Sequence, residues 1–408
     1  MKICIVGSSK LFYSGISAYT IVQANNFQSR GHQVSALLLH SLVPRLLYPG
    51  KDRVGRGQHA PYFTPGIPVY DGMDWYSPVS WLKAREFLRR EQPDVLIVHW
   101  WTSSVVHMQL LLALFNRMQK EKAIFVLEMH EVVDPLEARI MPIRLYAKLT
   151  GKLLRNFCDL FTAHSEDARQ QIIKAYNIPE NRIFVVPHGT YDFYGAMDSS
   201  QAKDRLDLHG FVILYFGMIR QHKGVPCLIR AFDMLPGEIA VRSTLMIVGE
   251  DWGEDRELES SLRGAVYRNR IVFMPEFIPD EQVSLYFSAA DIIVLPHMNS
   301  SGSGVANIAV GMGKRLITSD IPTMIESFSW YEGVTFFPVE NHEALRSILM
   351  NAYEDWQLHG VRCYQFKDDT WRQIIDSYER FIRCLIPTKW GVNSAKAGKP
   401  CDNDFADG

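Results

Sequence analysis

The chain alternates between short apolar runs rich in β-branched residues and helix-length amphipathic segments. "KICIVG", "QVSALLL", "DVLIVH", "AIFVLEMH" and "LFTAHS" lie in the first half, and "FVILYFG", "STLMIVG", "IVFMPEF" and "DIIVLP" in the second. Runs apolar on both faces belong in parallel strands covered by helices on either side. Such strands need crossover connections, so the pattern predicts an α/β architecture. It occurs twice, and 408 residues with 47% hydrophobic content are enough for two domains.

Between Val185 and Gly210, "VVPHGTYDFYGAMDSSQAKDRLDLHG" replaces periodic apolar positions with turn formers and polar residues. This places a first Rossmann-like domain over 1–192, a linker over 193–210 and a second such domain over 211–365. In "DDTWRQIIDSYERFIRCL", Trp371, Ile374, Ile375, Tyr378, Ile382 and Leu385 recur at helical spacing, so 366–386 reads as a terminal packing helix. The tail at 387–408 has few apolar residues and is expected to be disordered. Open α/β sheets bind ligands beyond the carboxyl ends of their strands. Two such lobes facing each other would make a cleft lined by post-strand loops, and the chemistry is expected there.

A formal charge of −2 offers no field for a nucleic-acid backbone, and no nucleic-acid motif is visible. The six cysteines are dispersed, without C-x-x-C pairs or histidines at metal spacing, so no metal site is expected and the chain reads as reduced and cytoplasmic. "MKICIVGSSK" fits a buried first strand better than a signal peptide. The most apolar stretch, Val95 to Phe115, is interrupted by His99, a Thr-Ser-Ser turn, His107 and Gln109, and reads as strand, turn and buried helix rather than a membrane span.

Two post-strand loops suit an anion. In "GSSKLFYSGISAYT", Gly15 to Ser17 would open the first helix, where unpaired amides and the helix dipole favour negative charge. It is not a G-x-G-x-x-G fingerprint, which argues against a dinucleotide oxidoreductase, and on its own it reads as an ordinary strand-to-helix turn. In "ILYFGMIRQHKGVPCLIRAF", Arg220 and Lys223 follow a buried strand and precede a helix. In a solvated loop these would be ordinary surface charges, but at a strand's carboxyl end they suit a diphosphate.

The chain resembles the retaining nucleotide-sugar glycosyltransferases of family four, also called group one, with the GT-B fold. The resemblance runs to about Leu385 and rests on the order and spacing of several motifs. They are "SGISAYTIVQANNFQSRGHQV", "EMHEVVDP", "VVPHGTYD", "FGMIRQHKGVPCLIRAF", "LMIVGE", "FIPDEQVSLYFSAADIIVLP" and "SSGSGVANIAVGMGKRLITSDIP". It implies two Rossmann-like domains facing across a cleft, with the C-terminal helix packing back toward the first. It further implies that Arg220 and Lys223 bind the donor diphosphate, although the family's more usual arginine position falls on Met218. His130 matches the active-site histidine beside the transferred sugar, and Gly15 the glycine that lets the first helix approach the diphosphate. Phe277 and Ile278 match the stretch whose backbone meets the base. The family commonly carries Glu, seven intervening residues, then Glu, to hold sugar and ribose. Counted back from Gly313, those positions are Ser300 and Ile308, so both carboxylates are absent.

Breaking a glycosidic bond to a diphosphate builds positive charge on the sugar and negative charge on the leaving group. Arg220, Lys223 and the amides of Ser303, Gly304 and Val305 are suited to stabilise that separation. Fixed cations can do the work of Mg²⁺ on a leaving phosphate, so transfer without metal or cofactor is expected. The family reaction is described as front-face, with the leaving phosphate helping to deprotonate the acceptor.

The stretch Arg139 to Phe157 interleaves Arg139, Arg144, Lys148, Lys152 and Arg155 with apolar residues, and Arg45, Lys51, Arg53 and Arg56 form a basic loop. These fit either an anionic membrane surface or a solvated helix packed on the sheet. Trp75, Trp81, Trp100 and Trp101 suit core packing more than an acceptor groove. The expected activity is hexose transfer from a nucleotide diphosphate sugar to a glycan or lipid-linked acceptor, in the cytoplasm or at the membrane's inner face, without nucleic acid. A sugar-binding subunit without turnover and a nucleotide-sugar epimerase are the alternatives.

Overall fold

The computed structural model describes residues 1–12, 15–42, 61–131, 141–253, 255–300, 302–365 and 370–385. The basic loop Arg45 to Arg56, Arg139 and the tail from residue 387 lie outside them. The chain divides into two units, Met1–Pro187 together with the chain from residue 369 onward, and His188–Asp368.

The first unit holds a seven-stranded sheet, ordered β3-β2-β1-β4-β5-β6-β7. The strands are β1 (Lys2–Ser8), β2 (Gln33–Ser41), β3 (Val69–Asp74), β4 (Val95–Trp100), β5 (Ile124–Met129), β6 (Leu160–Ala163) and β7 (Ile183–Val185). The second unit holds a six-stranded sheet, ordered β10-β9-β8-β11-β12-β13. Its strands are β8 (Phe211–Phe216), β9 (Ser243–Val248), β10 (Ile271–Met274), β11 (Ile292–Leu295), β12 (Arg315–Ser319) and β13 (Val334–Phe337). All pairings are parallel. This is the expected Rossmann-like α/β class, found twice. In each sheet the strand order reverses beside the unit's first strand, between β1 and β4 and between β8 and β11, and ligands bind at such switch points.

Each sheet is covered by its own apolar cluster. Val6, Leu37, Val98, Leu127 and Phe161 contribute to the first, and Phe211, Tyr215, Leu245, Val294 and Leu349 to the second. Trp100 lies inside the first cluster, with Trp75, Trp81 and Trp101 packed against it. The first helix, Gly15–Ser29, lies close on β1 because Gly7 has no side chain. A Cβ there would stand 2.0 Å from Thr20 Oγ1.

The terminal helix Thr370–Leu385 packs on the helix Gly15–Ser29, as expected of it. Tyr378 meets Phe27 at 5.6 Å between ring centroids, Trp371 meets Tyr19 at 5.3 Å, and His32 pairs with Glu379 at 2.9 Å. The 193–210 stretch, read as a linker, carries a helix, Ser199–Arg205, capped by Asp198. Its Lys203 reaches Asp291 at 2.7 Å, which ties this segment to the second sheet. Among the described residues, no helix is long and apolar enough to cross a membrane.

The close seat of the first helix makes one prediction. Gly7→Ala should destabilise the protein by about 1–3 kcal/mol through overpacking. Thr20→Ala added to it should return part of that loss in chemical unfolding. No effect of Gly7→Ala would contradict the packing described.

Candidate functional site

In the first unit, polar side chains converge beneath the carboxyl ends of β4, β5 and β6. Glu128, on β5, is fully buried. It accepts hydrogen bonds from Tyr19 Oη and Gln23 Nε2, both at 2.8 Å and both on the helix Gly15–Ser29. His99 Nε2 lies 3.4 Å from Glu128 Oε2. Burial alone would raise the Glu128 carboxyl, but hydrogen bonding from His99 and the surrounding imidazoles of His99, His130 and His164 hold it well below the usual glutamate range. An ionised Glu128 turns the Gln23 amide nitrogen toward itself. The Gln23 oxygen then faces His99 Nε2 at 3.0 Å, so that nitrogen carries a proton.

His130 directly follows β5 and is buried against this network, with ring centroids 4.9 Å from Tyr19, 4.9 Å from His99 and 4.6 Å from His164. Its amide bonds to the Trp100 carbonyl at 2.8 Å, which extends the β4–β5 ladder by one residue. Ligand atoms of His99, Glu128 and His130 lie within 4.8 Å of one another, close enough to share a metal ion. They are nevertheless engaged in hydrogen bonds: His99 with Thr20 and Gln23, Glu128 with Tyr19 and Gln23, and His130 Nδ1 with His164. The group is built as a hydrogen-bonded network. Gly15 opens the helix that carries Tyr19 and Gln23, and among the described residues a Cβ at that position would meet no neighbouring atom within 4 Å.

In the second unit, the loop after β8 carries Arg220 and Lys223, both half-buried. Ile219 pairs in parallel with Asp251, and its amide bonds to the Glu250 carbonyl at 2.9 Å, so this loop is fastened to the one after β9. The Arg220 guanidinium lies 5.0 Å from the centre of the Trp252 ring, a cation–π geometry that fixes its place. Gly224 follows Lys223 at φ 66°, and a Cβ there would stand 2.0 Å from the Pro296 carbonyl oxygen. The loop therefore sits hard against the end of β11, where the Met298 amide also bonds to the His222 carbonyl at 2.9 Å.

The helix Gly304–Gly311 starts at the same edge. Ser303 caps it by accepting from the Ala306 amide at 3.2 Å, leaving the amides of Gly304 and Val305 at the open end of the first turn. Val305 Cγ2 would be 3.2 Å from a Cβ on Gly217, which places this helix start beside the loop after β8. The structure thus brings Arg220, Lys223, Ser303, Gly304 and Val305 to one edge of one sheet. The Ser300 hydroxyl turns onto its own loop, with the Gly302 carbonyl and amide as partners. Ile308 is only 7% exposed and presents no polar group. Phe277 and Ile278 lie between β10 and the helix Asp280–Ala289, with Ile278 buried.

The sequence reading did not single out Tyr19, Gln23, His99, Glu128 or His164, nor His297 just beyond β11. His297 is buried beside Lys223 and His222. Burial first, and then those two charges, push its pKa well below the usual histidine range, so its ring is neutral. The available signal was a polar residue ending an otherwise apolar run, as in "VLIVHW", "FTAHS" and "IIVLPH".

A family model described as Glycosyltransferase Family 4 matches residues 13–191, and one described as Glycosyl transferases group 1 matches residues 197–363. A serotype-specific mannosyltransferase, WbdA of Escherichia coli, is 23% identical over 205 residues, which cover 48% of this chain and 25% of that protein. A D-inositol 3-phosphate glycosyltransferase of Pseudarthrobacter chlorophenolicus is 26% identical over 285 residues, covering 65% of this chain and 64% of the relative. The chain thus spans about a quarter of the first relative's length and just under two thirds of the second's. Among solved structures, HepE of Anabaena in complex with UDP and glucose superposes with a TM-score of 0.63 at 15% identity, over 95% of this chain and 98% of that one. Sucrose-phosphate synthase from Thermosynechococcus elongatus does so with 0.62 at 14%, over 94% and 97%. The fold is of the GT-B type.

The Glu128 network predicts a pH-dependent stability difference. A carboxylate held below its ordinary value of 4.5 stabilises the fold above that pH, and the contribution fades as acid protonates it. Glu128→Gln should cost about 2–4 kcal/mol at pH 7, because buried donors lose a charged acceptor. The gap to wild type, measured by urea unfolding, should narrow below pH 4.5. A gap that does not change with pH would contradict an ionised Glu128.

Proposed function

The chain belongs to the glycosyltransferases, with a family 4 domain followed by a group 1 domain, and from that membership we propose a retaining hexosyltransferase. It moves a hexose from a nucleotide diphosphate sugar to a glycan or lipid-linked acceptor. The observation that carries the reading is the meeting of Arg220, Lys223 and the helix start at Gly304 at the switch point between β8 and β11. A departing diphosphate gains negative charge in the transition state, and fixed cations and helix amides meet that charge without reorganising. With two cations in place, the diphosphate needs no divalent ion for charge neutralisation. HepE is described in complex with UDP and glucose, so a uridine donor is the first to try.

A specific observation favours a second reading, a donor-binding subunit without turnover. Where the family places two carboxylates, Ser300 is bonded within its own loop and Ile308 is buried. Donor binding by calorimetry with no product on any acceptor would select that reading.

The helix Met141–Phe157 contains Arg144, Lys148, Lys152 and Arg155 and no acidic residue. Leu145, Leu149 and Leu153 follow one another at one-turn spacing and are 59%, 57% and 50% exposed. A leucine stripe on a cationic helix fits the headgroup region of an anionic bilayer, where a lipid-linked acceptor would reside.

Two outcomes are expected. Purified protein given nucleotide sugars and acceptors should release nucleoside diphosphate in the presence of EDTA, with the product's anomeric configuration matching the donor's by NMR. Arg220→Ala with Lys223→Ala should lower that release at least about 100-fold while the thermal unfolding profile persists; normal turnover would refute the site. In co-sedimentation, the protein should bind phosphatidylglycerol vesicles over phosphatidylcholine ones. Leu145→Ser, Leu149→Ser and Leu153→Ser together should weaken that binding at least about tenfold. Equal binding to both lipids, or no binding, would refute the membrane contact.

A further inference from the structure

The neighbours of His130 bear on which of its ring nitrogens carries the proton. His164, at the end of β6, places Nδ1 3.0 Å from the Val186 carbonyl oxygen. A carbonyl oxygen only accepts, so Nδ1 of His164 is the donor. Burial lowers the His164 pKa, with Glu128 and the Val186 bond opposing, so the ring is neutral and its Nε2 carries a lone pair. That Nε2 lies 3.0 Å from His130 Nδ1. A lone pair on one side requires a proton on the other, and His130 Nδ1 supplies it.

We propose that the Val186 carbonyl, acting through His164, fixes His130 as the Nδ1–H tautomer and so leaves Nε2 as a hydrogen-bond acceptor. His164 is a positioning residue. In this tautomer His130 suits a hydroxyl hydrogen at Nε2, as a sugar offers, and not a phosphate oxygen, which requires a donor. The proposal rests on the glycosyltransferase reading only for the identity of that hydroxyl.

The rest of the cluster is consistent with this assignment. Glu128 Oε1 lies 3.9 Å from His164 Nε2, beyond hydrogen-bond distance, so it does not replace His130 as that nitrogen's partner. Tyr19 directs its hydroxyl to Glu128, and His99 spends its ring nitrogens on Thr20 and Gln23. Tyr378, on the terminal helix, is raised well above the usual tyrosine range by burial and the nearby Glu128 charge, so it stays neutral. The hydrogen bonds that set the relay run from a main-chain acceptor, which cannot titrate, through one imidazole to the next.

The test is a long-range ¹H–¹⁵N correlation spectrum of the full chain labelled at histidine nitrogens, taken near pH 7.5 without substrate. The expected spectrum gives His130 a protonated Nδ1 and a bare Nε2. His164→Gln, whose amide oxygen can accept in the same place, should keep that pattern. His164→Phe should lose it, with mixed His130 tautomers and a fall in kcat/KM of about tenfold or more, the usual range for an orienting partner. A protonated Nε2 on His130 in the wild type would overturn the proposal, as would a His164→Phe protein with an unchanged tautomer. If His164→Phe does not fold, the wild-type spectrum decides alone. The tautomer is read without turnover, so failure of the proposed transferase activity leaves this result standing on its own.

Discussion

Parallel pairing excludes tight hairpins: every strand must be followed by a crossover before the next can lie beside it in the same direction. In both units this brings the loops that leave the strands' carboxyl ends to one edge of the sheet. It also makes β1 and β8 the strands where the order turns, with β4 and β11 as their neighbours on the other side. The groups assembled at these edges come from distant parts of the chain, such as Tyr19 with Glu128, or His222 with Met298. Their meeting depends on the strand order more than on any local motif.

The two edges differ in their electrostatics. In the first unit a buried carboxylate orders hydroxyl, amide and imidazole groups around itself, and the resulting lattice of directed hydrogen bonds restricts each ring to one role. In the second unit the cations lie in a loop fastened by backbone bonds to its neighbours, while nearby His297 is held neutral by burial first and then by the same positive surroundings. The first arrangement suits recognition of hydroxyls. The second suits an anion.

Much of the architecture was legible because fully buried strands read as continuous apolar runs, as "FVILYF" and "STLMIV" do. The strands that escaped notice have reasons to look different. β3, "VYDGMD", is an edge strand whose Asp71 bonds to Ser9 and His40. β7 has only three residues, β12 opens on Arg315, which pairs with Asp355, and β13 is an edge strand fully buried only at Phe337. Arg220 and Lys223 stood out as cations following an apolar run. Glu128 did not, because a lone acid within "IFVLEM" carries no sign of the tyrosine that bonds to it from 109 residues away. The burial of Ile308 was likewise invisible to spacing, which locates a position along a helix but not what packs over it.

The central claim is that the second unit holds a nucleoside diphosphate through Arg220, Lys223 and the helix start at Gly304. Thermal shift against UDP, GDP and ADP sugars tests it most directly, since a ligand bound only by the folded state raises its unfolding temperature by mass action. The account predicts a saturable rise with one nucleotide's diphosphate sugars, a weaker one with the matching monophosphate, and none with the free sugar. No rise with any nucleoside diphosphate or its sugars, or an equal rise in a protein lacking both Arg220 and Lys223 side chains, would contradict it.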